Sequence, residues 1–471
     1  MLIKKPNISG LWTLFSVKER RNIALYILGI MFYKFGLEAY NGSILTLATN
    51  RYDQDASLNN KPSNTFERVG LLSGLNQASQ CIGSILIAPL IKRWPTRTVL
   101  SISVFIFGIV TAILMIVDTA TGGYIKPKDF IPLNKNDFSY YGKYFTDAII
   151  PIYCVTGITY GMVELIRRVI PRDIVGGNVE KLQRMDALVH IFYEISGTSG
   201  AFAAGLGLIP RLGNNYAFLI TPIFFTVSAI IWWFLRKNYF QSVINGFLSF
   251  GQSVYVGGKI VFTHRKFIWL FTGYSIALYA HRYLENGIAP QIARRYLGNS
   301  EWSQIIVGGS NFGELIVKYA WFIAVTFIPI SFGWAAGDVS LVAYIQSSLT
   351  HLETKTKNVS ALGAVMAFLY SSYIILYAIL NPILGKYIDH VYNSTGSVRP
   401  ALFHTAAIQL TIILIIVFLS TFVPKGSFAC NPNLDDDDDD NNNDQEKKTS
   451  PTRISIDVNE KHQPLELVTY F

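Results

Sequence analysis

Eleven apolar runs, most near twenty residues long, constrain this chain more than any other feature. They fall at about 24–48, 70–91, 98–117, 149–169, 187–209 and 216–235, then at about 267–289, 303–320, 321–349, 361–385 and 401–423. Roughly twenty residues rising 1.5 Å each cross about 30 Å of hydrocarbon. No water reaches that depth, so each run has to be helical to satisfy its own backbone groups. Charged residues make up 15% of the 471 and the mean hydropathy is +0.32, against about a quarter charged in an ordinary soluble domain. The expected fold class is therefore an all-α polytopic membrane protein.

The net charge of +9 does not point to nucleic acid, because the basic residues sit at the ends of apolar runs rather than on one soluble face. They read as topology signals. Five precede the first run, Lys92, Arg93 and Arg97 follow the second, Arg167, Arg168 and Arg172 the fourth, and Arg236, Lys237, Lys259, Arg265 and Lys266 the sixth. The segments between are diluted by acids such as Asp53, Asp118 and Asp147. The positive-inside rule then puts the N-terminus in the cytosol. The expected organisation is a cytosolic N-terminus (1–23), a six-helix bundle (24–235), a central cytosolic loop (236–266), a second bundle (267–423) and a tail (424–471). The tail carries the like-charge block Asp435 to Asp440, which is expected to be disordered. Cys81 and Cys154 lie inside apolar runs and read as small buried hydrophobes. The basic start shows no small-residue cleavage site after a short apolar core, so a cleaved signal peptide is not expected.

Two helix blocks around a basic loop suggest a duplicated carrier, and the loop after the second run is more telling. Ala88-Pro89-Leu90-Ile91-Lys92-Arg93-Trp94-Pro95-Thr96-Arg97 resembles the Gly-x-Leu-x-Asp-Arg-x-Gly-Arg-Arg loop of the major facilitator superfamily. Leu90, Arg93 and Arg97 match it; Ala88, Pro95 and Lys92 stand where that family has two glycines and a gating aspartate. Gly197, Gly200, Gly205 and Gly207 in the fifth run are similar to the family's glycine-rich fifth helix, without its proline. The stretches Tyr160–Arg168 and Ile170–Gly177 look like a poorly characterised fungal branch. The resemblance covers about residues 20 to 425 and implies a two-bundle fold with a cavity lined by the first, fourth, seventh and tenth helices, with Arg93 and Arg97 in a gating loop. Six helices per half are usual, whereas the runs count six plus five. The segment from Ser303 to Thr350 has room for two spans where three belong. A missing ninth helix would reverse the sidedness of all that follows. A re-entrant segment, a true eleven-helix protein and a defective gene model are the three explanations, the last the preferred one.

Ionisable groups inside runs cost roughly 2.5–3.5 kcal/mol each at mid-membrane on insertion scales, so each needs a reason. Lys34 and Glu38, four apart on one helix face and close to Asn41, read as a substrate- or proton-binding pair or as a self-neutralised lock between helices. Glu164 with Arg168 lies nearer the interface and reads as structural or gating. Glu314 with Lys318 has the same spacing in the eighth run. His190 and Glu194 could relay a proton or form a hydrogen-bonded core pair. His281, Arg282 and Glu285 close the seventh run on its outer side, where Arg282 attracts an anion or anchors the helix end. Asp338 follows a glycine-rich break that could expose a carboxylate to a cation or proton. Asn76, Gln77 and Gln80 read as a bridge between helices. Tyr26, Tyr33, Trp232, Trp233 and Trp269 read as interfacial anchors.

Metal-ligand spacing, a phosphate-cradling loop and a nucleophile elbow are all missing from the sequence, so no cofactor and no enzymatic activity are expected. The expected function is secondary active transport of a small solute by alternating access, with protons as the candidate coupling ion through Glu38, Glu194 or Asp338. The expected setting is the plasma or vacuolar membrane. The rivals are a non-transporting receptor or scaffold with a carrier fold, and a lipid-handling protein.

Overall fold

A computed structural model describes residues 14–175, 179–235, 248–299, 301–311 and 361–424. Its described secondary structure is helical throughout, arranged as two bundles. The first holds α1 (Val17–Leu58), α2 (Thr65–Arg93), α3 (Thr96–Ala120), α4 (Ile149–Val175), α5 (Val179–Phe202) and α6 (Ile220–Trp233). The second holds α7 (Leu248–Thr263), α8 (Ala277–Tyr283), α9 (Trp302–Asn311), α10 (Ala361–Thr395) and α11 (Gln409–Ser420). The helix built around α8 is interrupted by π-helical turns at Phe271–Ile276, Leu284–Ile288 and Ile292–Tyr296, the kind of bulge often found at functional sites.

Five described segments are long and apolar enough to cross a membrane: Val17–Leu58, Thr96–Ala120, Thr146–Arg167, Ala364–Thr395 and Arg399–Ser420. The expected count of six plus five is therefore not reproduced. Helix α2, helix α5 and the bulged helix carry too many polar groups or too many breaks to qualify, and the run at 321–349 lies outside the described residues. So do Glu314, Lys318, Asp338 and the acidic tail. Within the expected central loop, Leu248–Thr263 forms a helix packed on the start of α10. A Cβ added at Gly257 would lie 1.9 Å from the Ala364 carbonyl.

Sidedness after residue 361 also departs from the literal count. Five later spans would put the 386–400 connection on the inner side. Instead Asn393 Nδ2 donates to the Ser63 carbonyl at 2.9 Å, in the link between α1 and α2, which charge assigns to the outside. Helix α10 therefore runs outward antiparallel to α2, with Phe66 against Gly385 and Gly74 against Ala378. The expected reversal does not occur.

Ser16 opens α1 with a capping box closed by Glu19. Its 42 residues exceed the expected 24–48 run because both ends continue into polar contacts beyond the hydrocarbon. Helix α6 packs along α1 through Trp232, whose Nε1 donates to the Tyr26 carbonyl at 3.2 Å, and through Ser228 and Thr221, which donate to the Gly29 and Gly36 carbonyls. Tyr26, Tyr33 and Trp232 are wholly buried. They are core residues, not the interfacial anchors their positions suggested; Trp233, half exposed, remains on the surface. The reason is that a lipid-facing and a bundle-facing aromatic look alike in a run that is apolar all round.

Backbone approach between α2 and α4 is closer still. Added Cβ atoms would lie 1.9 Å from the Ile158 carbonyl oxygen at Gly83 and 2.0 Å from the Gln80 carbonyl oxygen at Gly161. Helices in lipid gain their association from such close packing. Gly161→Val is expected to lower stability by about 1–3 kcal/mol or more through overpacking, whereas Gly207→Ala, which meets nothing within 4 Å, is expected to be silent. Thermal unfolding of the two variants in detergent checks this.

Candidate functional site

Where the bundles face each other, helices α1, α4, α5 and α8 bring together most of the charges that the sequence places inside the membrane. Lys34 pairs with Glu38 on α1, both side chains nearly buried. Gly197 on α5 makes the room: a Cβ there would lie 2.6 Å from Lys34 Cε. The Lys34 ammonium sits 4.3 Å from the centroid of the Tyr193 ring, and the Arg167 guanidinium 4.2 Å from it. Tyr193 thus supports two cations, a favourable arrangement at an aromatic face. Sequence reasoning passed over it, although it lies between the two residues of α5 singled out for their spacing.

Glu164 is a hub. It accepts from Arg167 Nε at 2.7 Å, from the Tyr33 hydroxyl at 3.2 Å and from the Tyr193 hydroxyl at 3.3 Å. Among the described side chains its ion-pair partner is Arg167, three residues on; the side chain of Arg168, the expected partner, lies outside the described residues.

His281, Arg282 and Glu285 were expected at the outer end of the seventh span. They lie at mid-helix, because the bulged helix continues to Tyr296. Glu285 is buried, 3.0 Å from Arg282 Nη1 and 3.4 Å from His281 Nε2, and Lys34 is within its electrostatic reach. Glu194 interacts electrostatically with Lys34 and His281 but makes no hydrogen bond or ion pair with a described residue. The expected His190–Glu194 pair is not found among the described contacts, and the His190 side chain is exposed. Asn41 is half buried one turn beyond Glu38. Arg97 donates to the Leu235 carbonyl and ties α3 to the end of α6, while Arg93 is exposed. Neither bridges the bundles among the described contacts. Asn76 donates to the Tyr153 carbonyl and accepts from Gln80, both at 2.7 Å, a bridge between α2 and α4.

A second constellation closes the outer end of the cleft, and no sequence pattern announced it. Asp53 of α1, its side chain 1% exposed, accepts from Arg294 Nε at 3.0 Å and Arg295 Nη2 at 2.5 Å, both from the second bundle. The Thr65 hydroxyl adds a bond at 2.6 Å. Arg294 also reaches the Lys135 carbonyl and Asn136, and Arg295 reaches Ser63. Beside them the Glu67 backbone N–H donates to Asp389 of α10 at 2.8 Å. Asp53 and Arg294 are 241 positions apart, too distant for spacing to reveal, and Asp53 looked like one more outer-loop acid.

Residues 23–430 match the family model of the Major Facilitator Superfamily. Among curated proteins, none matches the sequence. Among solved structures, that of the nucleoside transporter NupG is similar with a TM-score of 0.55 and 10% identity, over 88% of this chain and 100% of that one. A point mutant of the same protein gives 0.58 and 11%, over 87% and 98%. At such identity the likeness is one of fold.

Removing one member of a buried ion pair costs about 3–5 kcal/mol, because the partner charge is left stranded. Asp53→Asn is therefore expected to loosen the outer closure. With Cys81, Cys154 and Cys430 replaced, Asn41→Cys should resist a membrane-impermeant maleimide added from outside, and react once Asp53→Asn is added. Equal resistance in both would show that Asp53 does not hold this end shut.

Proposed function

This chain belongs to the Major Facilitator Superfamily, and from that premise we propose that it is a secondary carrier for a small polar solute, bound in the cleft between its bundles. The observation that carries the reading is the convergence of Lys34, Glu38, Glu164, Glu194, Arg282 and Glu285 at mid-depth from four helices. Charges there cost free energy, and one self-neutralised pair would suffice to lock two helices together. Several charges aimed at one interface suit a path for something polar. The outer closure through Asp53, Arg294 and Arg295 supports alternating access, since these contacts must break for the cleft to open outward. Protons are the proposed coupling ion, with Glu38 and Glu194 as the carboxylates that would take them up; Asp338 keeps that role as a proposal from sequence alone.

The stretches Tyr160–Arg168 and Ile170–Gly177 support a place in the fungal branch, and with it a plasma or vacuolar membrane. The nucleoside of NupG is not carried over to this chain, because 10–11% identity transmits a fold rather than a binding site.

Paired substitution tests the reading. Lys34→Ala alone should destabilise by stranding Glu38, whereas Lys34→Met with Glu38→Leu should melt near the unaltered protein, since apolar groups can replace a buried pair at little cost. In proteoliposomes, uptake of at least one member of a panel of sugars, amino acids, nucleosides and organic ions is expected. It should respond to an imposed pH gradient and fall about tenfold or more in the double variant. Undiminished flux in that variant would leave the pair a purely structural lock.

A further inference from the structure

Among the described residues the cleft is short of one positive charge. Where α1, α5 and α8 meet, Lys34 and Arg282 are the permanent cations, and Glu38, Glu194 and Glu285 are the carboxylates. Glu38 is paired with Lys34, and Glu285 with Arg282 at 3.0 Å. Glu194 is left with Lys34 and His281 as electrostatic neighbours and with no bond to either. On α4, Glu164 and Arg167 form an ion pair. Among the described residues the surplus is therefore one carboxylate, and it belongs to Glu194. Glu194 is partly exposed, so an entering group can reach it, and a carboxylate with no bonded cation favours a positive one.

A second, independent observation marks the same place. Tyr373 of α10 is 1% exposed, its hydroxyl has no hydrogen-bond partner among the described residues, and it lies within electrostatic reach of Arg282 and Glu285. A buried hydroxyl left unpartnered costs about 1–3 kcal/mol, a cost that an arriving polar group would relieve. The tyrosine faces of the cleft already accept cations, as the Tyr193 ring does for Lys34 and Arg167.

We propose that the solute carries a single positive charge on an organic body, its cationic centre neutralised by Glu194 and its polar end meeting Tyr373. The proposal rests on the carrier reading above and narrows it to a substrate class. An anionic solute would add to the surplus, because the Arg282 charge is already matched by Glu285. A neutral solute would leave the Glu194 carboxylate to the coupling proton alone.

The test is thermal unfolding of the purified full-length chain in detergent. The cationic probes are choline, tetraethylammonium and methylphenylpyridinium; the neutral carbon isostere of choline and uridine serve as neutral probes, and succinate as the anion. At least one cation is expected to raise the melting temperature saturably. Its half-saturating concentration should rise about tenfold or more in Glu194→Gln, a loss of about 1.4 kcal/mol, and stay near the original in Glu194→Asp. Stabilisation only by neutral or anionic probes, no stabilisation by any cation, or an unchanged response in Glu194→Gln would each overturn the proposal. Flux of each stabilising probe in proteoliposomes separates the two readings. A neutral probe that is carried leaves the carrier and removes the charge rule; a cation bound through Glu194 but never carried does the reverse.

Discussion

The expense of holding charge away from water organises this molecule. Every ionisable side chain drawn into the bilayer has to find a partner, line the cleft or reach an interface. Lys34 and Glu38, Glu164 and Arg167, and Glu285 with Arg282 and His281 meet that demand by pairing within their own helices. Those helices then turn the pairs toward one another, where two bundles can share the residual field. The lipid-facing surfaces are left to Ile, Leu and Phe; α11, for instance, has no buried residue at all among those described.

Glycine sets how closely the helices carrying those charges approach. Gly197 admits the Lys34 side chain against α5, and Gly200 brings α5 onto the backbone of Phe35. Across the bundle boundary, Gly70, Gly74 and Gly385 let α2 and α10 lie almost backbone to backbone. In lipid, where apolar side chains gain nothing by leaving the solvent, such dispersion contacts hold the assembly together. The charged residues of the cleft therefore stand on packed helices rather than on loops, and their mutual distances are set by main-chain contact.

The two polar constellations differ in kind. At mid-depth the charges are mostly paired within one helix, so the bundles can separate there without stranding an ion. At the outer end Asp53 is paired with arginines of the other bundle, so separation exposes all three groups. That difference suits a site that must be reached and an end that must be shut while it is reached from the other side.

Spacing along the chain was enough to read the membrane class, the helical runs, the in-membrane charges and the pairing of Lys34 with Glu38, because helix geometry alone places residues four apart on one face. It did not show that Glu164 meets Arg167 and Tyr33, whether Tyr26 and Trp232 face lipid or protein, or how far the helix beyond Glu285 continues. Each of those depends on what a neighbouring helix presents. The lock of Asp53 with Arg294 and Arg295, and the solitude of Glu194 beside His281, belong wholly to the tertiary structure: a Coulomb contact forms where chains meet in space, and one-dimensional order carries no record of that meeting.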